Sequence, residues 1–508
     1  MQPTSALPAL VSVLALALPL PVTAQAPKPL GAAAETITEQ DVIRHIKVIA
    51  DDSMLGRDTP SRGLDLTAQY VADRFKSFGL VPGGENGTWF QRYAITRRHI
   101  DVEHSTLRLR SGREEGRASF ASAARYVQGT VPDAPLSGNA LLVGGGITAD
   151  QAARAALTGR IVLFIADRSR PTFDEALRAI NRAGPKAIIL LADADSAAFA
   201  GRLVAQTRDR TAMDLGLVRP VIVEVREATV APALAVAGVM PGAIRARRDV
   251  VFRDLLSLSV DLDLREVISS RQTAPNTIGI LPGADPRLKN EYVVFSAHMD
   301  HIGITPGPPD SINNGADDDA SGTTAVMELA EAFSRPGARP ARSLIFLTVS
   351  GEEKGLWGSR YFSEHPVVPL KDVVADFNID MVGRNWPDTI VAIGKEHSDL
   401  GATLNRVNAQ HPELGMTAID DRWPEERFYF RSDHYNFARK GVPILFFFNG
   451  VHADYHQPSD SWEKINPEKE ARIVRLIFYL GEEVAGAPER PKWNPASYHE
   501  IVEGAAGR

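Results

Sequence analysis

Four short apolar runs set the strongest limit on how this chain can fold: Tyr292–Ala297, Ser343–Val349, Val373–Ile379 and Ile444–Phe448. Each is too short for an ordinary helix and is bounded by polar or glycine-containing segments, the pattern of strands. Thr323–Phe333 lies between two of them and reads as a helix. Strands alternating with helices specify an α/β domain with a mostly parallel sheet flanked by helices.

The chain upstream is organised differently. Thr38 is a helix cap with Asp41 three residues on, and Val42, Ile46 and Ile49 follow at helical spacing. Tyr70, Val71, Phe75 and Phe78 form a second helical pattern, closed by Gly79. Leu55-Gly56-Arg57-Asp58 between them reads as a turn, and both helices read as packing elements. Residues 125–265 carry strand patterns at Ile161–Ile165, Ala187–Leu191 and Val221–Val223, with a helix over Ala176–Ala183. This block has no His and no clustered acids, so it is expected to be a smaller inserted α/β or β-rich domain that supplies no metal ligand.

With 508 residues, two or three domains are expected. The sequence divides into a signal peptide (1–24), a Pro- and Ala-rich linker (25–35), the first part of a catalytic domain (36–124), the insert (125–265), the main catalytic part (266–485) and a C-terminal tail (486–508). The signal rests on apolar Leu7–Val22 followed by the small residues of Val22-Thr23-Ala24, although no Lys or Arg precedes it. Export to the periplasm or the extracellular space is therefore expected. No later segment is apolar for long enough to span a membrane. A formal net charge of −7 is mild for this length and argues against a nucleic-acid partner. There is no cysteine, so any metal site must be built from His, Asp and Glu.

Those residue types gather where the strands end. His298-Met299-Asp300 follows the first strand, Gly315–Gly322 (GADDDASG) precedes the helix, and Gly351-Glu352-Glu353 follows the second strand. Asp380 ends the third, and Tyr455-His456 lies in a loop after the fourth. Ligands in open α/β sheets bind beyond the carboxyl ends of the strands. Any one of these pieces alone is ordinary surface decoration, but their succession at strand ends is hard to obtain that way. Imidazole and carboxylate together suit a pair of divalent cations bridged by a shared carboxylate. A further carboxylate that is not a ligand then takes a proton from the bridging water, and the adjacent acids Glu352 and Glu353 can divide those two roles.

From about 275 to 480, the segments SAHMDHIG, NNGADDDASG, SGEEKGLWGS, NIDMVGR, SDHY and DYHQPSD resemble the co-catalytic di-zinc aminopeptidase family. That family includes bacterial leucyl aminopeptidases and, more distantly, glutamate carboxypeptidase. HIKVIADDSMLGRD is similar to exported members, and residues 125–265 more loosely resemble a protease-associated domain. The resemblance implies a zinc exopeptidase fold, two zinc ions per chain and peptide substrates. It assigns His298, Asp318, Glu353, Asp380 and His456 as metal ligands, with Asp318 bridging, Asp380 beside His298, and His456 beside Glu353. Glu352 is the implied general base. Asp300 would orient His298, Asp460 would orient His456, and Tyr455 would polarise the scissile carbonyl or its oxyanion. Asp317 and Asp319 are not expected to be ligands, and the Tyr-His-x-Pro-x-Asp context favours His456 over His452. His301 and His434 lie inside the motifs but are not expected to touch substrate. His45, His99 and His411 fall outside them and read as surface or packing residues. An aminopeptidase is the expected function. The alternatives are a dipeptidase or carboxypeptidase on the same site, and a non-catalytic receptor-like relative.

Overall fold

The computed structural model describes residues 28–307 and 309–504, and the signal segment lies outside them. The first long helix is α1 (Glu39–Ile49), capped by Thr38, whose hydroxyl accepts the Asp41 N–H at 3.1 Å. Such a cap is worth about 1 kcal/mol. Helix α2 (Arg62–Ser77) follows, and Gly79 (φ 80°) takes the left-handed turn that ends it.

Four strands carry the candidate site: β1 (Tyr292–His298), β2 (Ser343–Val349), β3 (Val373–Ile379) and β4 (Ile444–Phe447). They lie side by side in the order β4-β3-β1-β2, all parallel. The register pairs Tyr292 with Ser343 and His298 with Val349, so β1 and β2 end at the same level. The expected parallel arrangement holds for this centre, while the whole ten-stranded sheet is mixed. Glu266–Leu281 pairs antiparallel with β2 and with Phe90–Ile100, and Thr389–Ile393 pairs antiparallel with β4.

Helices α3 (Gly322–Ser334) and α4 (Pro467–Gly486) pack on the sheet. Phe333 of α3 meets Phe295 of β1 at 5.6 Å and Phe478 of α4 at 4.4 Å between ring centroids. Gly481 costs α4 about 1 kcal/mol relative to alanine. A Cβ there would stand 2.4 Å from the Phe295 ring, so the glycine is what lets α4 lie this close to the sheet.

A second, eight-stranded sheet with its own core uses strands from Thr106–Ser111 to Val250–Asp263. It begins upstream of residue 125, where the sequence places the insert. The hairpin Thr106–Ser119 buries Leu107, Leu109 and Ala118 against Val230 and Ala233, and its short polar-apolar alternation is easily passed over. Conversely, Arg210–Asp214 leaves this unit and pairs with Phe90–Ile100 in the main sheet. Two further boundaries are corrected. Lys28–Ala34, inside the expected linker, is a helix that buries Ala33 and Ala34. The expected tail packs on the fold: Ile501 is buried and Trp493 Nε1 donates to the Gly441 carbonyl at 2.9 Å. Among the described residues no helix is long and apolar enough to cross a membrane.

Candidate metal centre

The strand ends bring together two sets of donor atoms, each set within 4.8 Å. One set is His298, Asp318 and Asp380; the other is His301, Asp318, Glu353 and His456. Asp318 belongs to both. Its Oδ1 is 3.3 Å from His298 Nε2, and its Oδ2 is 3.2 Å from His456 Nε2. Asp380 Oδ1 stands 3.6 Å from His298 Nε2, and Glu353 Oε1 stands 3.3 Å from His456 Nε2. All five residues assigned as ligands therefore converge, and His301, to which no role was given, joins them. No donor comes from the second sheet's unit.

The arrangement fits metal ions on physical grounds. Asp318 Oδ2, Glu353 Oε1, Asp380 Oδ1, His456 Nε2 and both ring nitrogens of His301 are buried without a hydrogen-bond partner. Each such atom costs about 1–3 kcal/mol in a protein interior. Their mixture of imidazole nitrogen and carboxylate oxygen is the chemistry zinc accepts.

The surrounding groups hold the donors in place. His298 Nδ1 donates to the backbone carbonyl of Asp300 at 3.1 Å, which leaves Nε2 free to ligate. The Asp300 carboxylate, expected to play that part, is 3.8 Å from Nδ1. It instead accepts from Thr59 Oγ1 (2.9 Å) and from the Glu352 N–H (3.2 Å). Asp460 differs from expectation as well. Its carboxylate accepts the N–H groups of Asp317 and Asp318 at 3.1–3.2 Å and so fixes the loop that presents Asp318, rather than His456. Asp319 accepts from the backbones of His298, Gly322 and Met381. Asp317 accepts from Gly383 N and faces His452 Nε2 at 3.1 Å. Both are bracing residues, and His452 is occupied by one of them. His434 is buried and donates to the Tyr429 carbonyl.

Sequence reading missed Arg57. The residue is wholly buried and its guanidinium reaches the carbonyls of Met299 and Gly315 at 2.9 Å, Ile49 at 3.0 Å and Asn314 at 2.5 Å. One cation thus ties the end of α1 to the segments that carry His298, His301 and Asp318. An isolated Arg in a Gly-containing turn gives no sequence sign of this, because most such residues are solvated.

Electrostatics separate the two adjacent glutamates. For Glu353, burial and Asp318 favour protonation, but contacts from His301 and His456 outweigh them and lower its pKa to about 2. For Glu352, burial, with Asp433, Asp380 and Glu353 nearby, pushes the pKa well above the usual carboxylate range, against the pull of His298. The two adjacent carboxyl groups are thus pushed in opposite directions by their surroundings. His456 is raised to about 10: burial opposes its charge, while Asp318 and Glu353 more than compensate.

A cleft of about 400 Å³ opens onto this centre. His298, Asp318, Asp380, Glu352 and Tyr455 line its charged end. Trp423, Phe428 and Phe448 form an apolar wall, with Phe428 and Phe448 packed at 5.0 Å between centroids. Tyr455 stacks on His456 at 3.8 Å. Burial, then the surrounding carboxylates, raise the phenol's pKa, so it remains an O–H donor. Trp423 and Phe428 were not anticipated, since the segment around 420–430 has no strand or helix periodicity, while Phe448 ends the expected fourth strand.

Residues 276–481 match the profile of peptidase family M28. The chain is 30% identical to leupeptin-inactivating enzyme 1 of Streptomyces exfoliatus over 222 residues, covering 43% of this chain and 45% of that protein. It is 28% identical to aminopeptidase YwaD of Bacillus subtilis over 241 residues, covering 44% and 47%. The chain thus spans about half the length of these curated relatives. An aminopeptidase from Aneurinibacillus sp. strain AM-1 aligns over 91% of this chain and 97% of its own, at 20% identity and a TM-score of 0.45. The stretch that matches the peptidase family M28 profile, residues 276–481, contains every donor of both clusters.

Proposed function

We propose that this chain is an exported zinc-dependent exopeptidase of the aminopeptidase type, with two zinc ions per chain. The observation that carries the reading is the convergence of unpartnered buried donors on two points that share Asp318. His298, Asp318 and Asp380 would hold one ion, and Asp318, Glu353 and His456 the other. Such a pair would supply Lewis acidity and bring the pKa of bound water down towards neutrality. Glu352, buried beside the ligands and lining the cleft, takes the proton and passes it to the leaving amine. Tyr455 donates its O–H to the developing oxyanion. Glu426, which lines the cleft and is neither a ligand nor the base, favours a substrate with a free ammonium group. The relatives named as aminopeptidases support the same direction of attack. Export is supported by the apolar Leu7–Val22 segment.

Peptides with free and with acetylated amino termini test the proposal. Hydrolysis of the free peptides only, from the amino end, is expected. Release of carboxyl-terminal residues from acetylated peptides overturns the aminopeptidase reading in favour of a carboxypeptidase.

A further inference from the structure

We infer that His301 is a fourth protein ligand on the Glu353 side of the centre, an inference that rests on the clusters holding metal ions. The ring is wholly buried, yet neither nitrogen has a hydrogen-bond partner. Nδ1 stands 2.9 Å from Glu353 Oε1 and 3.6 Å from Asp318 Oδ2, inside hydrogen-bond range of the first but not aligned to donate to it. The ring meets His456 edge-on, with centroids 5.5 Å apart and planes at 74°, so the two imidazoles approach one point from different directions. The backbone makes room for this placement. The His301 N–H donates to the Arg57 carbonyl at 3.3 Å. Gly315, at φ 56°, lies so close that a Cβ there would be 2.7 Å from the ring.

With His301 included, the two sides of the centre are unequal. The Glu353 side has four donors, His301, Asp318, Glu353 and His456, while the other has three, His298, Asp318 and Asp380. Four protein ligands complete a tetrahedral zinc site, whereas three leave a position open for water or substrate. The cleft divides the centre in the same way: its lining includes His298, Asp318 and Asp380 but not His301, Glu353 or His456. The four-donor side fixes Asp318, and the three-donor side faces the substrate.

Zinc alone, titrated into chelator-stripped protein of full length, tests this by calorimetry, with cobalt as a visible-absorption probe of each site. Wild type binds two ions. H301A keeps the His298-side ion and binds the other at least about 100-fold more weakly, since loss of even an outer partner costs up to that much. Unchanged affinities for both ions with an unchanged cobalt spectrum overturn the assignment. A second measurement does not depend on how the variant folds. In wild type labelled with ¹⁵N-histidine, zinc should move the ring-nitrogen resonances of His298, His301 and His456. A His301 resonance that stays still while the other two move overturns the assignment and leaves the metal reading intact. Wild type that binds no zinc in either measurement overturns both.

Discussion

The carboxylate of Asp300 accepts the backbone N–H of Glu352 across 3.2 Å. This bond links the loop after β1 to the loop after β2, so one residue sets both candidates, His298 through its backbone carbonyl and Glu352 through its carboxylate. Replacing Glu352 with Gln preserves size and removes only the proton acceptor. Turnover should fall by at least about 100-fold with both ions retained, as checked by steady-state kinetics and metal analysis on one preparation. A variant that loses an ion instead would show that Glu352 is a ligand.

Glu353→Gln should behave in the opposite way. Its carboxylate is held ionised by His301 and His456, with a pKa near about 2. A neutral amide there weakens one side of the centre. Metal analysis after dialysis against a weak chelator should find one ion fewer than in wild type.

Removal of metal should destabilise the fold as well as abolish hydrolysis. The donors are buried and mutually close, and several of their atoms have no other partner once the cations are gone. A chelator should lower the thermal midpoint by several degrees, and zinc should restore it. Full activity after exhaustive removal would end the metal reading.

Arg57→Met removes a cation from several buried carbonyls at once. Unfolding should become easier by at least about 3 kcal/mol, because several acceptors lose their donor together. Lysine should not rescue it, since a single ammonium cannot span the carbonyls of Ile49, Met299, Asn314 and Gly315. Urea denaturation of both variants measures this.

Away from the centre, His45 and Glu328 are buried 3.4 Å apart. Burial, then Asp41 and Glu331, raise the Glu328 pKa from 4.5 to about 9. Burial, then Arg44 and Arg74, lower that of His45 from 6.5 to about 4. The fold therefore favours both groups uncharged. The Glu328 contribution is full below about 4.5 and is lost as pH rises towards about 9. The His45 contribution is full above about 6.5 and is lost as pH falls towards about 4. Glu328→Gln should flatten the alkaline limb, with a gain over wild type that is largest near pH 9 and absent near pH 4.5. Denaturant melts across that range check the sign.

How much the sequence discloses depends on the kind of order involved. β2 and β3 fall where their apolar runs place them, because strands buried on both sides leave an unbroken signal. The donors His298, Glu353 and Asp380 are legible because each follows such a run, whereas Asp318 is marked by the acidic stretch ahead of α3. His301 is less so. It lies three residues beyond His298 in the same segment, and nothing in the spacing separates a donor from a packed imidazole. The roles of Asp300 and Asp460 depend on which of several nearby backbone groups an acid meets, and that is decided by loop conformation. Trp423 and Phe428 reach the cleft from irregular chain, where periodicity gives no guide.

The reach of Arg57 also bears on how the protein can be cut. Residues 276–481 look like a natural expression fragment, since they hold every donor. Taken alone they would leave the Met299, Asn314 and Gly315 carbonyls without their guanidinium, and Asn276 and Thr277 without Gln91 and Phe90, the strand neighbours they pair with. During synthesis, residues made early must wait for Asp460 and α4 before the ligand loops are clamped from both sides. A smaller working enzyme would therefore have to be sought by excising the second sheet's unit and rejoining the chain across the gap, keeping the N-terminal helices in place.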